Sequence, residues 1–140
     1  MNRSDMAKAL QSVPLFSGLT KKELAVVAGA AKEVKANAGD ILAKEGEHGV
    51  GFFLILEGTA RVVVSGRTRR RLSRGDTFGE IALLDGGPRT ATVIAETDMV
   101  MLGITAWAFK GLLTQYPTIT IKLLEEVASR LRSTSASVTS

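Results

Sequence analysis

Short runs of β-forming residues separated by glycines dominate the centre of the chain, from residue 32 to residue 104. Runs of roughly four to eight β-branched and apolar residues fit strands, and glycine supplies the backbone freedom that tight turns need. Several short strands at this spacing are typical of an all-β barrel or jelly roll, whose closure limits exposed edges. The predicted strands are Asp40–Lys44, Phe52–Glu57, Thr59–Ser65, Arg69–Ser73, Thr90–Glu96 and Asp98–Ile104.

The two ends of the chain carry helical periodicity instead of strand patterns. Residues 1–31 predict two helices, the second opened by a capping box in which Thr20 and Glu23 bond each other's backbone N–H groups. Beyond the strands, Thr105 can cap one helix, and Pro117 suits the first turn of another because that position needs no N–H donor. The sequence therefore predicts an α+β fold, with helices at both ends of a β-roll.

The last predicted helix carries an apolar stripe formed by Leu124, Val127, Ala128 and Leu131. A stripe at this spacing usually packs into the molecule's own core, although it also allows the helix to pair with a second copy or with an output domain. The tail from Ser133 to Ser140 is rich in serine and threonine, and we expect it to fray.

Composition excludes several classes of enzyme. The chain contains no cysteine and a single histidine, His48, which lies in a glycine turn and is expected to be exposed to solvent. Thiolate sites are therefore excluded, and metal centres that need several histidine ligands lack them. One loop histidine also supplies no Ser–His–Asp arrangement. We predict a protein that is not an enzyme, with no catalytic residue, no metal and no cofactor.

Neither a membrane span nor a secretion signal is apparent. No apolar run reaches the roughly 18 residues that a membrane span needs. The N-terminal residues MNRSDMAKALQSV lack the apolar stretch and cleavage site of a signal peptide. We expect a cytoplasmic protein.

Positive charge is concentrated in one predicted hairpin, and the net charge of the chain is +4. No helix combines a basic face with aromatic residues, and aromatic residues make up only 5% of the chain, so stacking platforms for bases are few. A solvated rim is the usual role of such a charge run. The alternative is an interaction module that binds an acidic partner or nucleic acid. The arginines concerned are Arg67, Arg69, Arg70, Arg71 and Arg74.

One segment, FGEIALLDGGPRTATV at residues 78–93, has the residue types of an anion site. Gly79 permits close approach of the backbone, and a short helical turn after it would leave the N–H groups of Ile81 and Ala82 without intrahelical acceptors. Such donors bind phosphate. The apolar side chains of the turn, up to Leu84, are expected to anchor it to the barrel.

Two charged residues of this segment complete the predicted site. Arg89 can make a charge-assisted contact to phosphate oxygens, whereas ionised Glu80 only accepts hydrogen bonds and therefore suits a hydroxyl. On spacing alone, a simple salt bridge between Glu80 and Arg89 that closes the loop is equally consistent with the sequence.

The segment resembles the phosphate-binding cassette of the cyclic-nucleotide-binding domain family, which includes protein kinase A and G regulatory domains, cyclic-nucleotide-gated channels and the bacterial catabolite activator. The likeness extends over nearly the whole chain, through VPLFSGLT near the start, EGEHGVGFFLILEG in the middle, and WAFKGLLTQYP and EEVASRLR near the end. It implies an eight-stranded antiparallel β-roll, like a jelly roll, between N-terminal helices and two C-terminal helices. This agrees with the pattern of the residues.

The resemblance also implies a role for each residue of the cassette. Glu80 would accept a hydrogen bond from the ribose 2′-OH, and Arg89 would neutralise the cyclic phosphate. The backbone of Gly79, Ile81 and Ala82 would lie beside that phosphate. No catalytic step is implied, because the function is binding of cAMP or cGMP.

Residues expected near the base leave its identity open. Thr90 resembles the threonine that can bond guanine in cGMP-dependent kinase, but it also resembles cAMP-selective channels, and cAMP is favoured by a modest margin. Val62 and Leu72 match the apolar wall under the purine, although ordinary barrel core is an equally good interpretation.

In the family, the last helix closes over the base as a lid. Arg130 matches a lid arginine of channels, and Thr134 and Ser135 match a pair that contacts adenine in the catabolite activator, although solvent exposure is the commoner fate of such residues. The chain carries no helix-turn-helix that could read DNA. We predict a stand-alone sensor or the regulatory domain of a larger protein. The expected organisation is one domain, 1–140, with N-terminal helices at 1–31, the β-roll at 32–104, the cassette at 78–92, and hinge and lid helices at 105–135.

Overall fold

Two four-stranded antiparallel sheets form the central roll of the computed structural model, which describes residues 1–48, 51–79 and 84–139, with side chains up to residue 133. Within those residues, the strand order is β1-β8-β3-β6 in the first sheet and β2-β7-β4-β5 in the second. The predicted eight-stranded antiparallel roll is confirmed. The strands are β1 Lys32–Ala36, β2 Ile41–Ala43, β3 Gly51–Glu57, β4 Ala60–Val64, β5 Arg67–Leu72, β6 Thr77–Phe78, β7 Thr92–Ala95 and β8 Met99–Thr105.

Two strands, β1 and β6, were not marked by the sequence pattern. β1 has the sequence KEVKA and lies at the edge of the first sheet with most of its side chains exposed, so it lacks an apolar alternation. β6 contains only two residues, and its register is set by pairing with β3. Four of the five residues of β1 have little β preference of their own, and β6 is too short for Thr77 and Phe78 to form a pattern, so both strands depend on pairing with their neighbours.

The helices lie at the two ends of the chain, as predicted. The capping box at the start of α2 is present, with Thr20 and Glu23 each bonding the other's backbone N–H. Thr105 caps α3 by accepting from the N–H of Ala108 at 3.1 Å. None of the described helices is long and apolar enough to cross a membrane. The helices are α1 Arg3–Gln11, α2 Lys21–Ala28, α3 Ala106–Gln115 and α4 Pro117–Thr139, with a 3-10 turn at Pro14–Phe16.

Two expectations for α4 were wrong. The helix continues to Thr139 instead of fraying after Ser133, since neither glycine nor proline follows Pro117 to end it. Its apolar stripe does not pack into the core, because Leu124 is 63% exposed and Leu131 is 66% exposed. The core is reached instead by Ile119 and Leu123.

Strand β3 divides the core into two layers because its side chains alternate between its faces. Phe52 and Leu54 pack with the helices, and Phe16 of the 3-10 turn meets Phe52 edge to face at 6.0 Å. Ile55 points into the roll between the two sheets. The helices and the roll are thus joined through the first sheet. The roll interior consists of Ile55, Ala60, Leu72, Phe78, Val93, Ala95, Met99 and Met101.

Candidate functional site

Arg89 is a buried charged residue in the connection that leads into β7, with only 8% of its surface exposed. Its backbone is held on both sides by the loop between β2 and β3. The N–H of Arg89 donates to the carbonyl of Glu47 at 2.8 Å, and its carbonyl accepts from the N–H of Gly46 at 2.9 Å. This pairing directs the side chain of Arg89 inward.

The Arg89 guanidinium has one hydrogen bond and no counter-charge within the described part of the chain. One terminal nitrogen donates to the carbonyl of Gly51, while Nε has no hydrogen-bond partner among the described residues. None of the described carboxylates forms an ion pair with it. Burial lowers the pKa of Arg89 from its ordinary value, yet an arginine stays protonated at neutral pH. A buried charge that no described carboxylate balances is costly, so the described part of the site favours an anion.

Gly79 packs directly against that guanidinium. Its φ is +90°, and a Cβ at this position would collide with a terminal nitrogen of Arg89 and lie 2.5 Å from the carbonyl oxygen of Gly51. Only glycine has the freedom and the space for this arrangement. The approach is set by β6, where Phe78 pairs with Phe53 and their rings stack at 5.1 Å.

The loop before Arg89 is tied to the opposite loop. Nδ1 of His48 lies 3.2 Å from the carbonyl oxygen of Gly86, and His48 forms a β-bridge with Pro88. The N–H of Gly87 donates to Asp85 Oδ1 at 2.7 Å. The expectation that His48 is exposed is confirmed, although its contact with the loop was not foreseen.

The structure brings together only part of the predicted cassette. Gly79 and Arg89 are in contact, whereas Glu80, Ile81 and Ala82 lie outside the described residues. Thr90 is exposed beside Arg89. Leu84 was expected to anchor the loop, but this was wrong because its side chain is partly exposed to solvent.

Sequence reasoning missed the part played by Gly51. Its carbonyl is the acceptor for the Arg89 guanidinium, and 38 residues separate the two in the chain. A backbone carbonyl has no signature in the residue type. Only the glycines of GVGFF, within EGEHGVGFFLILEG, could have indicated that the start of β3 belongs to the site.

Val62 and Leu72 lie in neighbouring strands on the same side of the second sheet. Leu72 pairs with Ala60 and is buried in the roll interior, whereas Val62 pairs with Arg70 and is half-buried. Leu72 is therefore a core residue, and Val62 is the more accessible of the two.

Arg130 lies on α4, where its Nε donates to Glu126 at 3.3 Å. The side chains of Thr134 and Ser135 lie outside the described residues. Lys122 holds the first turns of α4 against α2 through a 2.6 Å ion pair with Glu23, and this hydrogen bond lowers the pKa of Glu23. The start of α4 is thus fixed to the N-terminal helices by polar contacts.

Four arginines of the run lie on β5, at the edge of the second sheet, and Arg74 follows that strand. Arg67, Arg69 and Arg70 are exposed, and Arg71 pairs with Glu96 at 3.2 Å. Cationic side chains on an edge strand discourage pairing with other sheets. Among the described residues, no group of three acidic or histidine side chains is placed to hold a metal ion.

Comparison with known proteins gives consistent matches. Residues 33–116 match the model of the family described as "Cyclic nucleotide-binding domain". The chain is 40% identical over 106 residues to a cAMP-dependent protein kinase regulatory subunit of Emericella nidulans, a match that covers 74% of this chain and 26% of that protein. The chain thus spans about a quarter of the length of the curated relatives it matches.

Solved structures show the same fold. The N-terminal domain of a transcriptional regulator from Streptomyces coelicolor A3(2) is similar with a TM-score of 0.84 and 31% identity, over 92% of this chain and 93% of that one. The cAMP-bound structure of PfPKA-R (141–441) is similar with a TM-score of 0.70 and 29% identity, over 90% of this chain and 47% of that one.

Proposed function

The chain belongs to the cyclic nucleotide-binding domain family, and we propose that it binds a 3′,5′-cyclic nucleotide, with cAMP preferred over cGMP. The observation that carries the proposal is the buried Arg89 guanidinium, whose charge is balanced by none of the described carboxylates. A cyclic phosphate carries one negative charge and oxygens that accept charge-assisted hydrogen bonds. It would supply both a counter-charge that the described residues lack and an acceptor for Nε.

The remaining cassette residues would complete a clamp on the sugar and phosphate. The backbone of Gly79 already lies against the guanidinium, so an anion bound to Arg89 would also lie near this backbone. Following the family motif, we assign the neighbouring backbone N–H groups of Ile81 and Ala82 to the phosphate and Glu80 to the ribose 2′-OH. The Glu80 carboxylate can accept a hydrogen bond from a hydroxyl, and its charge disfavours a second phosphate at that position.

The preference for cAMP rests on the relatives and on the surroundings of the base. The named relatives are a cAMP-dependent kinase regulatory subunit and a cAMP-bound structure. Thr90 is exposed beside Arg89 and offers a hydroxyl that could also bond guanine, so it allows cGMP as a weaker ligand. Val62, with Leu72 behind it in the core, would face the purine.

We further propose that ligand binding closes α3 and α4 over the site as a lid. Polar contacts hold the N-terminal half of α4, namely Lys122 with Glu23 and Ser17 with Glu126, and polar contacts can be exchanged during such a motion. Arg130, Thr134 and Ser135 would contribute to the closed lid. The ligand can stabilise the closed state only by binding it more tightly than the open state.

In the cell, the chain would act as a non-catalytic sensor or as the regulatory domain of a larger protein. The whole of 1–140 would serve as one ligand-binding domain, with the signal leaving through the C-terminal helix. A cytoplasmic location remains a prediction. No cofactor or metal enters the proposal, because binding and closure require none.

Calorimetry on the intact chain tests the proposal. We expect cAMP to bind with micromolar or tighter affinity, equivalent to about −8 kcal/mol or better, and cGMP to bind more weakly. The non-cyclic 5′-AMP serves as the control ligand, since it carries the same base and a differently placed phosphate. The alternative, in which the Arg67–Arg74 hairpin binds nucleic acid, predicts salt-dependent binding to duplex DNA and no heat with either cyclic nucleotide. That result would overturn the proposal.

A further inference from the structure

A groove of about 1050 Å³ lies between α2 and α3 and shares none of its lining residues with the site around Arg89. Small and apolar residues of the two helices form its floor, and larger side chains also line it, among them Arg3, which lies against Gly29. The residues that form this α2–α3 groove include Ala25, Val26, Gly29, Ala108, Gly111 and Leu112.

Trp107 stands at the edge of the groove with 87% of its surface exposed. Tryptophan is the largest apolar side chain, and burying it in a contact releases much ordered water, which makes it frequent at the centre of interfaces. Tyr116 is also partly exposed and lines the same groove. Exposed aromatic residues around a concave apolar surface mark an interaction site.

Gly111 gives a second, independent indication. It lies inside α3, where glycine destabilises a helix relative to alanine, yet a Cβ added there would meet nothing within 4 Å. Packing within the described fold therefore gives no reason for glycine at this position. Gly111 stands four residues after Trp107, so both lie on the same face of α3. Because Gly111 has no side chain, the backbone of a partner can approach α3 closely there while the partner also contacts Trp107.

The charges of the groove select the chemistry of that partner. Its lining contains three cationic side chains, Arg3, Lys22 and Lys110, and no carboxylate among the described residues. None of the three forms an ion pair in the described part of the chain. Cations around an apolar floor attract an anionic partner that also carries apolar side chains.

We propose that the α2–α3 groove is a docking site for an acidic amphipathic helix of another protein. Its apolar side chains would cover the floor and Trp107, its backbone would pass over Gly111, and its carboxylates would meet the three cations. The floor of small apolar side chains favours this occupant over single-stranded nucleic acid, which needs several stacking platforms. Charge also disfavours a second copy of the same groove, since cations would then face cations.

Fluorescence titration of the full chain tests the proposal, because Trp107 is the only tryptophan and reports occupation of the groove directly. The probe is a synthetic amphipathic peptide of about 16 residues, long enough to form a helix, with leucines on one face and glutamates on the other. The control peptide has lysine in place of every glutamate. We expect the acidic peptide to shift the Trp107 emission to shorter wavelength, and the basic peptide to leave it unchanged.

Variants then locate the binding. Lys22→Glu and Lys110→Glu should each weaken the acidic peptide by about fivefold, since attraction becomes repulsion. Lys35→Glu makes the same charge change at an exposed position outside the groove and should have no effect. Gly111→Leu should fill the groove and abolish binding while leaving the melting temperature equal or higher, because leucine is the better helix former.

Four results would overturn the proposal. Equal binding of the two peptides would show that the cations of the groove do not select the partner. Unchanged binding by Gly111→Leu would show that the peptide binds outside the groove. Binding of an oligothymidylate in preference to the acidic peptide would assign the groove to nucleic acid. A Trp107 shift that depends on protein concentration alone would assign it to a second copy of this chain.

Discussion

Arg89 and the exposed arginines of the β5 hairpin are the same side chain in opposite surroundings. Arg89 is nine-tenths buried and lacks a counter-charge among the described residues, whereas Arg67, Arg69 and Arg70 stand in solvent at a sheet edge. Water screens exposed charges strongly, and a buried charge is screened much less. A buried charge that no described residue balances is therefore a stronger indication of a binding site than many charges on the surface.

A paired charge forms the intermediate case. Lys122 and Glu23 satisfy each other at 2.6 Å and join α4 to α2, so their role is to hold helices in place. Arg71 and Glu96 form a second, more exposed ion pair at 3.2 Å beside the edge of the second sheet. In each pair the two charges neutralise each other, so neither pair offers an unbalanced charge to a ligand. The site is therefore identified by a charge that the described fold does not balance.

Removing the buried charge should give the largest difference between the two groups of arginines. We expect Arg89→Ala to weaken cAMP binding by about 2–5 kcal/mol, because the phosphate loses its desolvated counter-charge. Arg69→Ala is the matched control and should change affinity little, since its side chain is exposed. Calorimetry measures both. Equal affinity for the wild type and Arg89→Ala would show that the site is wrongly assigned.

Filling the space beside the guanidinium should be the next largest effect. Gly79→Ala places a Cβ against Arg89 at a φ of +90°, and we expect it to lower the free energy of unfolding by about 2–4 kcal/mol. Gly75→Ala has the same backbone strain at a φ of +91°, but its Cβ meets nothing within 4 Å, so about 1 kcal/mol is expected. Urea unfolding compares them. Similar losses for the two variants would mean that Gly79 does not pack against the guanidinium as described.

The same buried charge should cost stability when no ligand is present. We expect Arg89→Met to leave the free energy of unfolding of the ligand-free protein unchanged or to raise it by about 1 kcal/mol, since replacing a poorly compensated buried charge with an apolar side chain is often stabilising. The stabilisation that cAMP gives the wild type should disappear. Thermal unfolding with and without cAMP measures both effects. A markedly lower melting temperature for ligand-free Arg89→Met would instead make Arg89 a structural residue.

The paired charge should give the smallest effect, and it should depend on pH. Lys122 lowers the pKa of Glu23 in the folded state, so the pair stabilises the fold above the ordinary glutamate pKa of about 4.3. This contribution should be lost as the pH falls below that value and through the lowered pKa of the folded state. Lys122→Met should reduce the dependence of stability on pH in this range. Urea unfolding at pH 7 and at acid pH provides the measurement. An unchanged pH dependence would show that the pair contributes nothing.

Local patterns were sufficient for much of the fold. Thr20 and Glu23, Thr105 and Pro117 marked helix boundaries because capping depends on a few adjacent residues. Glycine-punctuated runs located six of the eight described strands to within a few residues. β1 and β6 were missed because strand pairing across the sheet creates them. The exposure of Leu124 and Leu131 was also not predictable, since periodicity shows that a stripe exists but not what covers it.

The sequence by itself determined the α+β class, the placement of helices at both ends of the strands, the family resemblance of the cassette and the choice of Arg89 as a site residue, because each depends on residue types at short spacing. Only the tertiary structure decided that Arg89 is buried, that Gly79 packs on its guanidinium, and that Gly51 is its acceptor. It also decided that Leu72 belongs to the core and that the α2–α3 groove exists. These properties arise where segments distant in the chain meet, and the burial and electrostatics of a side chain depend on all the segments that surround it.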